Sequence, residues 1–203
     1  MLNQKPSGTT ESTDAPSEPA KTTWMPREEW VKTQPQALIA SCVVLLDQQG
    51  RMLMLRYAPG QPSAGSWWLP GGMLDHGEDP LTAACREMHE ETGMEMSSVP
   101  RLIGVDHRVN VGGTGPVLDC FFHGGTVADG LPIRLSPEHD QHAFLGLDEL
   151  NDTPLAEHVR TLEALHTAAT TGTVVCLREG QPLGPDGSPL WRQTKAQLEQ
   201  GRQ

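Results

Sequence analysis

Three glutamates, Glu87, Glu90 and Glu91, crowd the stretch REMHEETG just ahead of a glycine that can end a helix. Residues three and four apart share a side of a helix, so each like-charged pair there costs about 0.2–0.5 kcal/mol. Anions in the last turn also face the negative end of the helix dipole, at about 0.3–1 kcal/mol each. Arg86 offsets part of this, and His89 would do so if protonated. A divalent cation shared by the carboxylates would reverse the balance, and hard cations such as Mg²⁺ or Mn²⁺ prefer oxygen ligands. Taken alone, the same residues also fit a solvated acidic helix face.

Something must hold these side chains in place. Asp79 can cap a helix, Pro80 suits its first position and Gly93 its end. Between them Leu81, Ala84, Cys85 and Met88 fall on one stripe. At 3.6 residues per turn the glutamates form a second stripe centred roughly 120° away. The pattern predicts a helix that packs one face on a sheet and aims three carboxylates into a common space. The sheet is predicted from ALIASCVVLLD, a buried strand, and RMLMLRY, which returns after a QQG turn as a hairpin. WWLPGGM, RLIGVDHRV, PVLDCFFHGGTV, AFLGL and TVVCLREG supply further strands. PLAEHVRTLEALHTAATTG supplies a second amphipathic helix, with Leu155, Val159, Leu162 and Leu165 on one stripe. The order of elements predicts an α/β fold, a mixed β-sheet with helices on its faces.

From Gly72 the chain runs five residues to Glu78, seven more to Arg86, and then reads Glu87, Met88, His89, Glu90, Glu91, Thr92, Gly93 and Met94. This resembles the complete box of the Nudix hydrolase family, G-x5-E-x7-R-E-U-x-E-E-x-G-U, with methionine at both aliphatic U positions. WWLPGG ahead of it resembles the approach strand of the MutT-like branch. The resemblance implies the Nudix αβα sandwich and hydrolysis of the pyrophosphate linkage in a nucleoside diphosphate derivative, such as a nucleoside triphosphate, by metal-activated water. It implies Mg²⁺ or Mn²⁺ as cofactor, held by Glu87, Glu90, Glu91 and the Gly72 carbonyl. Glu91 or Glu87 is the implied base for water, Arg86 positions the carboxylates, and Glu78 supports that arrangement or reaches the metal through water. An ADP-ribose or nucleotide-sugar pyrophosphatase is the alternative, and a catalytically silent nucleotide-sensing module is a reading of another class.

Other residues carry weaker signals. The family places a further acid in a loop beyond the box, and LSPEHDQHAFLGLDEL resembles that stretch, with Glu138 the first choice and Asp140 behind it. His139 and His142 read as polar loop surface, because no third His or Cys partners them. Arg56 is a candidate for substrate contact or for a plain salt bridge. Trp68 is a candidate for stacking a nucleobase, although successive strand residues face opposite ways and only one of Trp67 and Trp68 can face a pocket. GGTG is a hairpin turn and lacks the lysine of a phosphate loop.

Composition narrows the partners. The chain has 203 residues and a formal charge of −11, which argues against nucleic acid and anionic membranes, since polyanions are held by basic patches. The expected partner is a small nucleotide-type substrate, and a homodimer is compatible with the sequence. Cys42, Cys85, Cys120 and Cys176 show no C-x-x-C spacing and read as buried free thiols of a cytoplasmic protein. Residues 1–23 read as a disordered tail, 24–180 as the Nudix domain, opening with a short helix between Pro26 and Pro35, and 181–203 as a loop with a short terminal helix.

Overall fold

The computed structural model of the protein describes residues 24–185, 187 and 188. The expected N-terminal tail and terminal helix lie outside these residues. The chain divides into two compact units at Pro35 and Gln36. In the first, helix α1 (Arg27–Lys32) follows Pro26, with Glu28 and Glu29 in its first turn and Lys32 in its last, the charge order a helix dipole favours. The second unit carries all other elements. Among the described residues no helix is long and apolar enough to cross a membrane.

Strand β1 (Leu38–Leu46) is buried along seven consecutive residues because both its faces are covered, which explains its unbroken apolar sequence. Its odd-numbered residues Val43 and Leu45 join Leu53, Leu55, Ala84, Met88, Cys120 and Phe122 in one core layer. Its even-numbered residues Cys42, Val44 and Leu46 join Met52, Met54, Ile103, Phe121, Leu162 and Leu165 in the other. Helix α2 (Pro80–Thr92) covers the first layer and helix α3 (Val159–Thr171) the second. The architecture is therefore the expected αβα sandwich on a mixed sheet.

The sheet also contains β2 (Met52–Tyr57), β3 (Trp67–Trp68), β4 (Gly71–Met73), β5 (Arg101–Arg108), β6 (Val117–Thr126), β7 (His139–Leu145), β8 (Val175–Arg178) and β9 (Gln181–Pro182). Its order is β3-β2-β1-β6-β5-β8-β9, with β4 also on β1 and β7 on β2. β1 pairs with β6 and β5 with β8 in parallel.

Several expectations change at the level of pairing. β1 and β2 do not form an extended hairpin: they meet only at Leu46 and Met52. Nearer the start of β1, its edge is taken by β4, with Cys42 opposite Gly71 and Ser41 opposite Gly72. This splay brings the double glycine onto the central strand. β7 begins four residues before AFLGL and pairs along β2. Its first residues are polar because it lines the far side of β2 with no further strand beyond it among the described residues, a place where charged side chains are tolerated. Helix α3 starts at Val159 rather than near Pro154, capped by His158 Nδ1 accepting from the Arg160 N–H at 3.1 Å. Leu155 instead bridges to Trp67. All four cysteines are free, but Cys176 is exposed, since Leu177 is the β8 residue that turns inward.

Candidate active site

Helix α2 is anchored at both ends by the residues its sequence advertises. Asp79 Oδ1 accepts from the N–H groups of Leu81 and Thr82 at 2.9 and 3.0 Å. Gly93, at φ +69°, donates its N–H to the His89 carbonyl, a left-handed end that suits glycine. Complete burial of Met88 contributes about 1.5–3 kcal/mol toward docking this face.

That docking separates the three glutamates by depth. Glu91 follows Ala84 by seven residues, two helical turns, and so lies on the packed stripe. It is 5% exposed. Glu87 is half-buried, whereas the Glu90 side chain is 55% exposed. The expected convergence of three carboxylates on one space is therefore incomplete. Among the described residues, no three His, Cys, Asp or Glu side chains are gathered closely enough to hold a metal ion as they stand.

A guanidinium sits where the charges meet. Arg86 Nη1 donates to Glu87 Oε1 at 2.8 Å and to Glu90 Oε2 at 3.1 Å. Its Nε and Nη2 grip Glu78 Oε1 and Oε2, each at 2.9 Å, and Nη2 also reaches the Met73 carbonyl at 3.0 Å. Hydrogen bonding from Arg86 holds the Glu78 carboxyl below its ordinary pKa, and hydrogen bonding to Glu78 is the chief reason the Arg86 pKa is raised. Arg86 thus fastens α2 to the loop that carries Glu78 and to β4.

Glu91 has no such cation. Its Oε2 accepts from the Gly71 N–H at 2.8 Å. Burial, with the Gly71 hydrogen bond working against it and the fields of Glu87, Glu138 and Glu90 adding to it, pushes the Glu91 carboxyl up to about 8. Burial likewise raises Glu87 in spite of Arg86. Glu138 is exposed beside the start of β7, near enough for its field to act on both glutamates.

Gly72 stands directly against Glu87. A Cβ there would meet the Glu87 carboxyl, with Cδ only 2.7 Å away. A Cβ on Gly71, at φ +149°, would meet the β1 backbone, with the Cys42 Cα at 2.6 Å. The double glycine lets β4 lie close under the carboxylates.

The outer candidates fall out differently. Arg56 Nε and Nη2 form a fork with the two Asp140 oxygens at 2.7 and 2.9 Å, so the salt bridge, one of two readings for Arg56, is present and engages Asp140 as well. Trp68 is 8% exposed and packs in the core layer under α3. His139, expected at the surface, is buried against Tyr57, with ring centroids 5.2 Å apart. Its Nε2 lies 3.8 Å from Glu91 Oε1 and its Nδ1 has no hydrogen-bond partner. Burial lowers its pKa, so at neutral pH it is an uncharged neighbour of Glu91 rather than an ion-pair partner. The signal for its burial lay in strand pairing with β2, which the polar run HDQH conceals.

The donor set suits a hard divalent cation: clustered carboxylates at graded depth, an uncompensated buried one among them, and a guanidinium already bridging two. Residues 35–165 match the family model of the NUDIX domain. A MutT-like protein of Streptomyces ambofaciens is 30% identical over 165 residues, spanning 81% of this chain and 98% of that protein. An asymmetrical bis(5'-nucleosyl)-tetraphosphatase of Rattus norvegicus is 38% identical over 84 residues, 41% of this chain and 57% of that protein. Among solved structures, the MutT protein of Methanosarcina mazei Go1 shares the fold with a TM-score of 0.56 at 24% identity, covering 68% of this chain and 97% of that one.

Proposed function

Because the chain belongs to the NUDIX hydrolase family, we propose that it cleaves the pyrophosphate linkage of a nucleoside triphosphate or similar nucleoside diphosphate derivative. The observation that carries this reading is Glu91: a buried carboxyl at the end of α2, fixed by the Gly71 N–H and surrounded by the fields of three other glutamates. An acid so placed weakens the fold unless a cation and its substrate offset it.

Glu87, Glu90, Glu91 and the Gly72 carbonyl would hold magnesium or manganese, with Glu138 as an outer ligand. When bound, such a cation supplies polarisation of phosphoryl oxygens and acidification of water. The rest falls to the chain's own groups. Glu91, seated by Gly71, orients the attacking water and takes its proton, with Glu87 as the neighbouring base. Arg86 ties Glu87 and Glu90 to Glu78, which limits how far the carboxylates must move when a cation and substrate draw them together. The buried ring of His139 limits bulk water on the inner side of Glu91.

The test is release of phosphate or pyrophosphate from a nucleotide panel with Mg²⁺ or Mn²⁺, the products identified by mass. Tight binding without cleavage of any member, with either ion, would instead identify a nucleotide-sensing module.

A further inference from the structure

His139 opens β7 and is the buried member of the polar run HDQH. Its place is fixed by backbone and ring alike. It stands opposite Tyr57 in the β2–β7 ladder, its ring packs on the Tyr57 ring, and its N–H donates to the Ser136 carbonyl at 3.2 Å. Ser136 in turn donates its own N–H to the Glu91 carbonyl at 3.2 Å. The segment that carries His139 is thus registered on the backbone of Glu91 as well as on β2.

The two side chains face each other in a dry place. Their exposure is 3% for His139 and 7% for Glu91, with His139 Nε2 3.8 Å from Glu91 Oε1, while Gly71 holds the other oxygen, Oε2. A neutral imidazole carries its proton on one nitrogen and a lone pair on the other. A proton on Nδ1 would be a buried donor without an acceptor, since Nδ1 has no partner among the described residues. Nε2 would then turn its lone pair toward an ionised carboxylate. With the proton on Nε2, the donor faces Glu91 and only the Nδ1 lone pair goes unmet. Ionised Glu91 therefore selects the Nε2–H form, and a shift of roughly 1 Å closes the pair to hydrogen-bond distance.

We propose that His139 is a positioning residue for the reaction, a neutral donor whose Nε2–H holds Glu91 Oε1 while the Gly71 N–H holds Oε2. Held at both oxygens, the charged carboxylate keeps one orientation toward the attacking water. His139 acts through Glu91 rather than on the substrate. The inference rests on the hydrolase reading and adds to it the residue that aims the base. Preset orientation of a reacting group lowers the barrier without strengthening the binding of substrate. Its loss should therefore appear in kcat and leave KM nearly unchanged.

Three variants of the full chain and one spectrum of the wild-type protein test this. His139→Phe keeps a ring for Tyr57 and loses both nitrogens. It is expected to melt no lower than the wild-type protein and to lose roughly tenfold to a hundredfold in kcat, the weight of one hydrogen bond to a charged group. His139→Gln, whose amide nitrogen reaches the place of Nε2, is expected to recover most of that loss. His139→Asn, which reaches only as far as Nδ1, is not. Wild-type kcat in His139→Phe, or a Gln variant no better than the Asn variant, overturns the proposal. Nitrogen-15 NMR of the His139 ring at pH 9 in chelator, where Glu91 carries its charge, is expected to find the proton on Nε2. A proton on Nδ1 overturns the proposal without recourse to any variant or to turnover. A wild-type protein that cleaves no nucleotide sinks the hydrolase reading instead, and the spectrum still decides whether His139 donates to Glu91.

Discussion

Glu91 Oε2 and the Gly71 N–H meet at 2.8 Å, joining the end of helix α2 to the short strand that flanks the centre of the sheet. The bond fixes a carboxylate where folding alone would place an aliphatic side chain. Glu91→Gln keeps an oxygen for Gly71 and removes the charge. Activity is expected to fall about 10²-fold or more, the usual weight of a positioned base. The melting temperature in chelator is expected to rise at pH 8. A marked loss of stability there would mean that the charge serves the fold.

The same carboxyl sets a pH dependence. Its pKa rises from 4.5 in the unfolded reference to about 8 in the fold, so between those values the native state holds the extra proton. Stability then falls as pH rises across that window. In chelator, the wild-type protein is expected to melt higher at pH 6 than at pH 8. Glu91→Gln should flatten that slope, as thermal melts across the range would show.

Arg86 binds Glu78, Glu87, Glu90 and the Met73 carbonyl together. Lysine is a point charge and cannot reproduce the fork on Glu78. Arg86→Lys is expected to cost about 1–3 kcal/mol in urea unfolding, the range for lost hydrogen bonds to charged groups. It should also lower kcat/KM, because Glu87 and Glu90 lose their common tether.

Gly72→Ala places a methyl against the Glu87 carboxyl. The obstacle is the far end of a flexible side chain, so Glu87 yields. Stability should drop by no more than about 1–3 kcal/mol, the scale of overpacking. Activity should fall about 10²-fold, the scale of an ångström of misplacement. Parallel melts and rate assays would show the two effects uncoupled.

Arg56 and Asp140 are each about one-third exposed, at 30% and 31% of their side chains. A double-mutant cycle on Arg56→Ala and Asp140→Ala is expected to return a coupling of about 0.2–1 kcal/mol, in line with exposed pairs. A value near zero would remove the pair from any account of the β2–β7 ladder.

The sequence spoke clearly where a single residue decides a local conformation. Asp79, Pro80 and Gly93 marked the bounds of α2, and the unbroken apolar run ALIASCVVLLD marked β1 as a buried strand. It was silent where the outcome depends on distant partners. Nothing in RMLMLRY tells that β2 leaves β1 after one pair and takes β7 instead. HDQH reads as loop because its backbone bonds go to a strand some eighty residues earlier. The helical wheel set Glu91 among the outward carboxylates, yet its nearest kin on the helix is Ala84. The fork between Arg56 and Asp140 likewise follows from strand order.

Ala84 and Glu91 lie on one line of α2, two turns apart, so the helix cannot roll to wet the acid without lifting the alanine out of its seat. A laboratory search for heat-tolerant variants, run without divalent ions, would therefore be drawn to position 91, where an oily residue fits a place already dry. Robustness selected by itself would erase the chemistry first.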